Sequence, residues 1–150
     1  MKYDLTQISL IIATYNEEES IDYVLRELED YNFFEIIIVD KNSIDRTLQI
    51  ANSYNVKIIN QLNKGWGSAV IQGFKYASGN YLTYMDADGS YNPKTIIEMF
   101  EKIKEYDFVC ASRYKDNNIS EDDTLIRSIG NKFFTFITNH FLNLKISDSL

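Results

Sequence analysis

The chain has 150 residues, of which 45% are hydrophobic and 25% charged, the balance of a folded soluble protein. This composition excludes a disordered or collagen-like chain, and the length fits a single domain over residues 1–150. The net charge of −7 argues against nucleic acid as a partner, because a nucleic-acid surface needs clustered Lys and Arg. One cysteine cannot form an internal disulfide, and we find no signal peptide or membrane-length apolar run, so we expect a cytoplasmic protein.

Short apolar runs rich in β-branched residues alternate with amphipathic stretches along the chain. Runs that are apolar on both faces are typical of strands buried between two helical layers. The predicted strands are residues 8–13, 35–40, 56–60, 81–86 and 108–112, and the predicted helices are residues 18–31, 43–54, 67–77, 93–106 and 124–144. This alternation predicts right-handed βαβ units and an α/β fold with a doubly wound, mostly parallel sheet.

Two carboxylates follow the fourth predicted strand, in the sequence Asp86-Ala87-Asp88. In an extended segment residues i and i+2 project to the same side, where two carboxylates repel unless a cation neutralises them. A hard ion such as Mg²⁺ or Mn²⁺ binds one or two carboxylates and completes its shell with water and phosphate oxygens. The alternative is a solvated turn, which Gly89 favours. We favour the metal site, because ligands of doubly wound sheets bind at the carboxyl ends of the strands.

A glycine-rich segment, NKGWGSAVIQG, precedes the third predicted helix. It matches neither a Walker loop nor the dinucleotide fingerprint. Gly65 and Gly67 nevertheless stand where free backbone amides can meet a phosphate, and Lys64 adds a positive charge. A plain loop with a glycine N-cap explains the segment equally well, and Trp66 is as compatible with packing as with ligand contact.

Polar side chains follow the other strands as well. Tyr15 is placed to stack on a nucleobase, and Glu17 or Asp40 to hydrogen-bond a base or ribose, although all three positions also suit helix capping. Arg113 follows the fifth predicted strand and is a candidate phosphate clamp, because guanidinium groups pair with phosphate oxygens in a fork. Arg127 either joins it or is a surface arginine of a helix.

Four segments in this order resemble the N-terminal domain of the family-2 glycosyltransferases with the GT-A fold: ISLIIATYNEEESI, EIIIVDKNSIDRT, NKGWGSAVIQGFKYASGNYLTYMDADGSYNP and ASRY. The later stretch RSIGNKFFTFITNHFLNLKISDS is similar to the subgroup that glycosylates polyprenyl phosphates, such as dolichyl phosphate. The resemblance implies a fold of the nucleotide-diphospho-sugar transferase type.

The resemblance also implies roles for particular residues. Asp86 and Asp88, aided by Ser90, would hold Mg²⁺ or Mn²⁺ on the diphosphate of a GDP- or UDP-sugar donor. Arg113 and Arg127 would engage the acceptor phosphate and complete the catalytic set. The residues expected to line the nucleotide pocket are Ala13, Tyr15, Glu17, Val39, Lys41, Lys64 and Ala87.

The chain departs from the family pattern in three places. The family usually has VDD where this chain has Val39-Asp40-Lys41, and a lysine cannot accept the hydrogen bonds by which the second carboxylate reads the base. The first motif is ATYNE, where PTYNE is usual, and this change mainly affects loop stiffness. In the family, ISDS is followed by further acceptor-binding and often membrane-associated segments. We therefore expect the N-terminal, donor-binding part of a longer chain, with any membrane contact through the remainder.

The resulting hypothesis is a metal-dependent, inverting glycosyltransferase that moves a hexose to a polyprenyl (dolichyl-type) phosphate, in the cytoplasm or at the cytoplasmic face of a membrane. One alternative is a truncated or diverged nucleotide-binding module without transferase activity. A phosphoacceptor receiver domain fits less well, because it needs an acidic pair after the first strand and a lone Asp after the third, where this chain has Asn16-Glu17 and Asn60. An oxidoreductase lacks its glycine fingerprint.

Overall fold

The computed structural model describes residues 3–111 and 125–142. Strands and helices alternate as the sequence predicts up to residue 102. The elements, in chain order, are β1 (Tyr3–Thr14), α1 (Ile21–Leu28), β2 (Tyr31–Asp40), α2 (Thr47–Ala51), β3 (Lys57–Asn60), α3 (Trp66–Tyr76), β4 (Tyr81–Asp86), α4 (Lys94–Lys102) and α5 (Leu125–Leu142).

The four strands of the described residues form one parallel sheet in the order β3-β2-β1-β4. Ala13 pairs with Val39 on one side and with Asp86 on the other, so the strands end at one edge. The chain moves from β1 outwards to β3 and then returns to place β4 on the free side of β1. Such a reversal in strand order opens a crevice at the carboxyl edge, which is where ligands of this architecture bind.

Apolar side chains cover both faces of the sheet. On one face Leu10 and Ile12 pack with the apolar stripe of α1, whose residues Ile21, Val24, Leu25 and Leu28 are all buried. On the other face Ile11, Ile37 and Val39 pack against Ala69 of α3. The predicted doubly wound α/β sheet with a fully buried centre is therefore confirmed.

The predicted fifth strand is wrong for the residues that the structure describes. Residues 108–111 adopt no strand, and Phe108 is 75% exposed. A strand buried on both faces requires a hydrogen-bonded neighbour and cover on both sides, and an exposed Phe108 lacks that cover. Ser112 lies outside the described residues.

The second predicted helix is much shorter than expected, since α2 contains five residues rather than the twelve of 43–54. Ser43 and Asp45 accept hydrogen bonds from the backbone of the β1–α1 loop, and Asp45 also accepts one from Thr47 N–H. Side chains of this kind compete with the helix for backbone groups, and here the loop conformation prevails.

The chain divides into two compact units, Met1–Glu101 and Lys102–Leu150. The first contains the sheet. The second contains α5, which lies within the predicted helix 124–144 and on which Phe133, Phe134, Phe136 and Phe141 are exposed. Of the helices in the described part of the chain, none combines the length and apolar character needed to cross a membrane.

Candidate active site at the carboxyl edge of the sheet

A cleft of about 500 Å³ opens at the carboxyl ends of β1 and β4, within the first unit. Its lining contains Ala13, Thr14, Tyr15, Glu17, Lys41, Gln61, Trp66, Ala69, Asp86, Ala87 and Asp88. Seven of these residues were expected at the site: Ala13, Tyr15, Glu17, Lys41, Asp86, Ala87 and Asp88. Residues far apart in sequence meet here because parallel strands end at a common edge.

Asp86 and Asp88 both line the cleft, with Ala87 buried between them. Burial raises the pKa of Asp86 above its ordinary value; a hydrogen bond from Trp66 opposes this rise, and the nearby Asp88 carboxylate adds to it. The carboxylate pair therefore carries an electrostatic cost that a bound cation would relieve.

The turn after β4 supplies a hydrogen-bond donor to the Asp88 carboxylate. Gly89 adopts a φ of 78°, a left-handed conformation that glycine tolerates best, and Ser90 N–H donates to Asp88 Oδ1 over 2.9 Å. The turn expected as an alternative to a metal site is thus present, and it holds Asp88 at the cleft. Ser90 itself lines a different cavity, with Tyr23, Tyr91 and Lys94.

The donor set fits a cation that is shared with a ligand. Among residues 3–111 and 125–142 no three or more His, Cys, Asp or Glu side chains come together closely enough to hold a metal ion. Mg²⁺ and Mn²⁺ do not require such a cage, since one or two carboxylates suffice when phosphate oxygens complete the shell. Asp86 and Asp88 supply that number.

Trp66 is the site residue whose role the sequence left open. Its Nε1–H donates a hydrogen bond of 2.8 Å to Asp86 Oδ1, and its ring contacts Tyr84 edge to face with the centroids 5.2 Å apart. The only signal in the sequence was its position directly after Gly65, at the start of a helix facing the strand ends.

Lys41 brings a positive charge to this acidic cleft. Its Nζ lies 4.9 Å from the centroid of the Tyr15 ring, within the range of a cation–π interaction. Gln61 was not expected from the sequence; its side-chain amide donates to the carbonyl oxygen of Gly65 over 2.8 Å and so fastens the loop before α3.

Asp40 is fully buried, and its role is structural rather than one of ligand binding. Its carboxylate accepts hydrogen bonds from Thr14 Oγ1 at 3.1 Å, from Ser43 N–H at 2.8 Å and from Ser43 Oγ. These donors come from the end of β1 and from the β2–α2 loop, so Asp40 joins the two segments and is not exposed to a base or ribose.

The β1–α1 loop, which carries Tyr15 and Glu17, is hydrogen-bonded to the β2–α2 loop and to the first residue of α2. Asn16, at a left-handed φ of 55°, donates from its N–H to Ser43 Oγ at 2.9 Å. Glu17 N–H donates to Thr47 Oγ1 at 2.7 Å. Because the backbone directly after Tyr15 is held, this edge of the cleft is preorganised.

The remaining expected residues lie elsewhere. Val39 is fully buried in the core and does not reach the cleft surface. Lys64 is exposed and is not part of the cleft lining. Arg113 lies outside the described residues, and Arg127 belongs to α5 with a side chain outside the described part.

The chain superimposes on the crystal structure of glucosyl-3-phosphoglycerate synthase from Mycobacterium tuberculosis in complex with Mn²⁺, UDP and glucosyl-3-phosphoglycerate. The TM-score is 0.58 at 22% identity, over 65% of this chain and 39% of that protein. The parallel sheet, the cleft at its carboxyl edge and this likeness define the class of the fold, which is the GT-A fold of glycosyltransferases.

The model of glycosyl transferase family 2 matches residues 9–149. The chain therefore belongs to glycosyl transferase family 2, as its motifs suggested. It is 39% identical over 118 residues to a dolichol-phosphate mannosyltransferase from Pyrococcus furiosus, covering 72% of this chain and 33% of the relative. It is 34% identical to the UDP-N-acetylglucosamine–dolichyl-phosphate N-acetylglucosaminyltransferase of Methanococcus voltae, covering 95% and 66%. The chain spans between one third and two thirds of the length of these relatives.

Proposed function

We propose that the chain is the donor-binding part of a metal-dependent, inverting glycosyltransferase. The enzyme moves a hexose from a nucleoside-diphosphate sugar to a polyprenyl phosphate of the dolichyl type. The observation that carries the donor side is the pair Asp86 and Asp88, held in one cleft beside Tyr15 and Lys41. Two curated relatives named for dolichol or dolichyl phosphate support the acceptor class.

Different side chains of the cleft would bind different parts of the sugar-nucleotide donor. Asp86 and Asp88 would hold Mg²⁺ or Mn²⁺, and Mn²⁺ accompanies UDP in the similar M. tuberculosis structure. Such a cation supplies Lewis-acid stabilisation of the charge that develops on the leaving diphosphate. Tyr15 offers an aromatic face to the uracil or guanine of the donor, and Lys41 offers an ammonium group to its carbonyl or phosphate oxygens.

The acceptor side requires positioning rather than a general base. A phosphate oxygen is already anionic, so it attacks the sugar without losing a proton to the protein. Attack in line with the leaving diphosphate inverts the sugar carbon. We assign the positioning of the acceptor phosphate to Arg113 and Arg127, and we place the reaction in the cytoplasm, at the cytoplasmic face of a membrane that carries the lipid.

Isothermal titration of UDP and of GDP, each with Mn²⁺, tests the donor side. We expect wild type to bind one of the two nucleotides and the binding to weaken at least tenfold in Asp88→Asn. Glu29→Gln is the matched control, because it removes one exposed carboxylate that does not line the cleft. Equal Mn²⁺-dependent affinity in wild type and Asp88→Asn would contradict the metal assignment.

A second candidate function is nucleotide binding without sugar transfer, which the position of Lys41 favours. This lysine lines the cleft where the family usually has a carboxylate. Incubation of the chain with labelled UDP- and GDP-hexoses and dolichyl phosphate separates the two functions. Formation of labelled lipid would exclude the binding module, whereas nucleotide binding without labelled lipid would favour it.

A further inference from the structure

We propose that Trp66 is a positioning residue for Asp86: its indole N–H fixes the orientation of this carboxylate towards the cleft and its cation. The inference rests on the proposed function for the identity of the cation. The contact itself stands on geometry, since Trp66 Nε1 lies 2.8 Å from Asp86 Oδ1 and both side chains line the cleft.

The indole is the hydrogen-bond partner that the structure gives to the Asp86 side chain. Within the described residues, the carboxylate makes this hydrogen bond through Oδ1 and makes none through Oδ2. A neutral N–H donor leaves the negative charge in place, whereas an arginine or lysine would neutralise it. The arrangement therefore orients the carboxylate without pairing it with a positive charge, which leaves it able to bind a cation.

The strand places Asp86 and the packing surface of the indole on one side. Tyr84 and Asp86 are two residues apart on β4 and therefore project to the same face of the sheet. The Trp66 ring packs edge to face on Tyr84 while its N–H reaches Asp86. One aromatic side chain thus contacts two successive same-face positions of β4, which restricts the rotation of both.

The helix that carries Trp66 is itself held at a fixed height above the sheet. Gly73 of α3 lies so close to β1 that an added Cβ would stand 2.4 Å from Ile11 Cγ2. Gln72 accepts a hydrogen bond from Leu62 N–H at 2.8 Å and donates to the carbonyl oxygen of Asn60 at 2.7 Å. These contacts join α3 to β1 and to the end of β3.

The register of the sheet places the contact of α3 with β1 next to the contact of Trp66 with β4. Ile11, which touches Gly73, is paired with Tyr84 on the neighbouring strand β4. The residue of β1 that Gly73 touches is therefore the direct neighbour of Tyr84, on which Trp66 packs. Gly65, at a φ of 99°, turns the chain into α3 directly before the indole. The turn at Gly65 before Trp66 and the packing of α3 after it therefore set the position of the indole N–H.

Nuclear magnetic resonance tests the contact without metal or nucleotide. The chain has one tryptophan, so its indole gives a single ¹⁵N–¹H signal. We expect Asp86→Ala to move the proton resonance of this signal upfield, because the indole N–H loses its carboxylate acceptor. Asp88→Ala is the matched control, because it removes the neighbouring carboxylate and leaves the indole partner. An indole signal that Asp86→Ala shifts no more than Asp88→Ala does would overturn the inference.

Mn²⁺-dependent binding of UDP or GDP tests the role of Trp66 as a positioning residue for Asp86. Trp66→Phe keeps an aromatic ring against Tyr84 and removes the N–H, and we expect about tenfold weaker binding. Phe74→Leu is the packing control: the Phe74 ring lies 6.4 Å from Tyr84, and its replacement leaves the N–H contact with Asp86 intact. We expect less than a twofold change there. Equal losses in both variants would mean that packing alone is affected and would overturn the role.

A double-mutant comparison separates positioning from direct nucleotide contact. If Trp66 acts through Asp86, Trp66→Phe causes no further loss in an Asp86→Ala background. The same loss in both backgrounds would show that the indole contacts the nucleotide itself and would overturn the inference. A wild-type protein that binds neither nucleotide with Mn²⁺ would overturn the proposed function together with this role. Wild-type binding that Trp66→Phe leaves unchanged would overturn the positioning role alone.

Discussion

Lys41 Nζ lies 4.9 Å from the centre of the Tyr15 ring, so a cation and an aromatic face share the edge of an otherwise acidic cleft. The two residues follow neighbouring strands, and the backbone N–H of Lys41 donates to the carbonyl oxygen of Thr14 at 3.0 Å. The ammonium group therefore lies beside the tyrosine ring on which we propose that the base of the nucleotide stacks. It is a donor in the place of the carboxylate acceptor usual in the family.

Replacement of Lys41 by methionine is expected to weaken metal-free binding of the nucleoside diphosphate. The side chain keeps similar length and loses its charge, so the attraction to the diphosphate falls. We expect about fivefold weaker binding at low salt, equivalent to roughly 1 kcal/mol, and a smaller difference at high salt. Isothermal titration at two salt concentrations measures both effects.

Lys57→Met is the control for this prediction. Lys57 also lies over a tyrosine ring, with its Nζ 5.8 Å from the centroid of Tyr76, but neither residue lines the cleft. Its replacement should leave nucleotide affinity unchanged. Similar losses for Lys41→Met and Lys57→Met would show that net charge, not the position of Lys41, determines the affinity.

Asp40→Asn is expected to destabilise the first unit. The buried carboxylate accepts hydrogen bonds from Thr14 Oγ1, Ser43 N–H and Ser43 Oγ, and an amide would turn an NH₂ group towards at least one of these donors. We expect a loss of about 2 kcal/mol in the free energy of unfolding, measured by urea denaturation.

The matched control is Asp4→Asn. Asp4 also accepts hydrogen bonds from a backbone N–H and a hydroxyl, both of Thr6, but it is exposed. Water replaces the lost contacts there, so the change in stability should be much smaller. Equal losses for the two variants would mean that the buried network around Asp40 contributes no more than a surface turn.

Much of the site could be predicted because it depends on local sequence and on one rule of topology. Asp86 and Asp88 share the cleft because Asp86 ends β4 and Asp88 lies in the turn that directly follows it. Tyr15 and Lys41 reach the cleft because parallel strands end together. Residues in these positions are recognisable from the strand pattern alone. The apolar stripe of α1 is equally local, because its buried residues follow the helical period within the predicted helix 18–31.

What could not be predicted depends on how elements cross in space. Trp66 and Asp86 are 20 residues apart, and their contact requires that α3 lie against β1 at the distance that Gly73 permits. The short α2 results from side chains that bond to another loop rather than to their own helix. The apolar run at 108–111 has the composition of a strand, but composition does not supply the pairing and cover that a buried strand needs.

Gly73→Ala should destabilise the fold, because the new methyl group would stand 2.4 Å from Ile11 Cγ2 and 2.8 Å from Ile11 Cγ1. Ile11 is fully buried, so neither α3 nor β1 can yield without disturbing the core. We expect a loss of about 2 kcal/mol in the free energy of unfolding. Gly67→Ala, in the same helix with no atom within 4 Å of the new methyl group, should be neutral or slightly stabilising. A neutral Gly73→Ala would show that the close approach of α3 to β1 is not maintained.

Acidification should loosen the contact between the β1–α1 and β2–α2 loops at Asp45. Burial acts to raise the pKa of Asp45, but hydrogen bonds from Thr47 and from Glu18 N–H outweigh it, so the pKa lies below its ordinary value. The contribution of Asp45 to stability is therefore complete above about pH 4 and is lost as the pH falls through the lowered pKa. Urea denaturation should show a difference in the free energy of unfolding between wild type and Asp45→Asn at pH 7, and this difference should shrink below pH 4. The control is Asp30→Asn, at an exposed carboxylate, which should change the free energy of unfolding little at either pH. A difference between wild type and Asp45→Asn that persists unchanged at pH 3 would contradict the assignment of these hydrogen bonds to the ionised carboxylate.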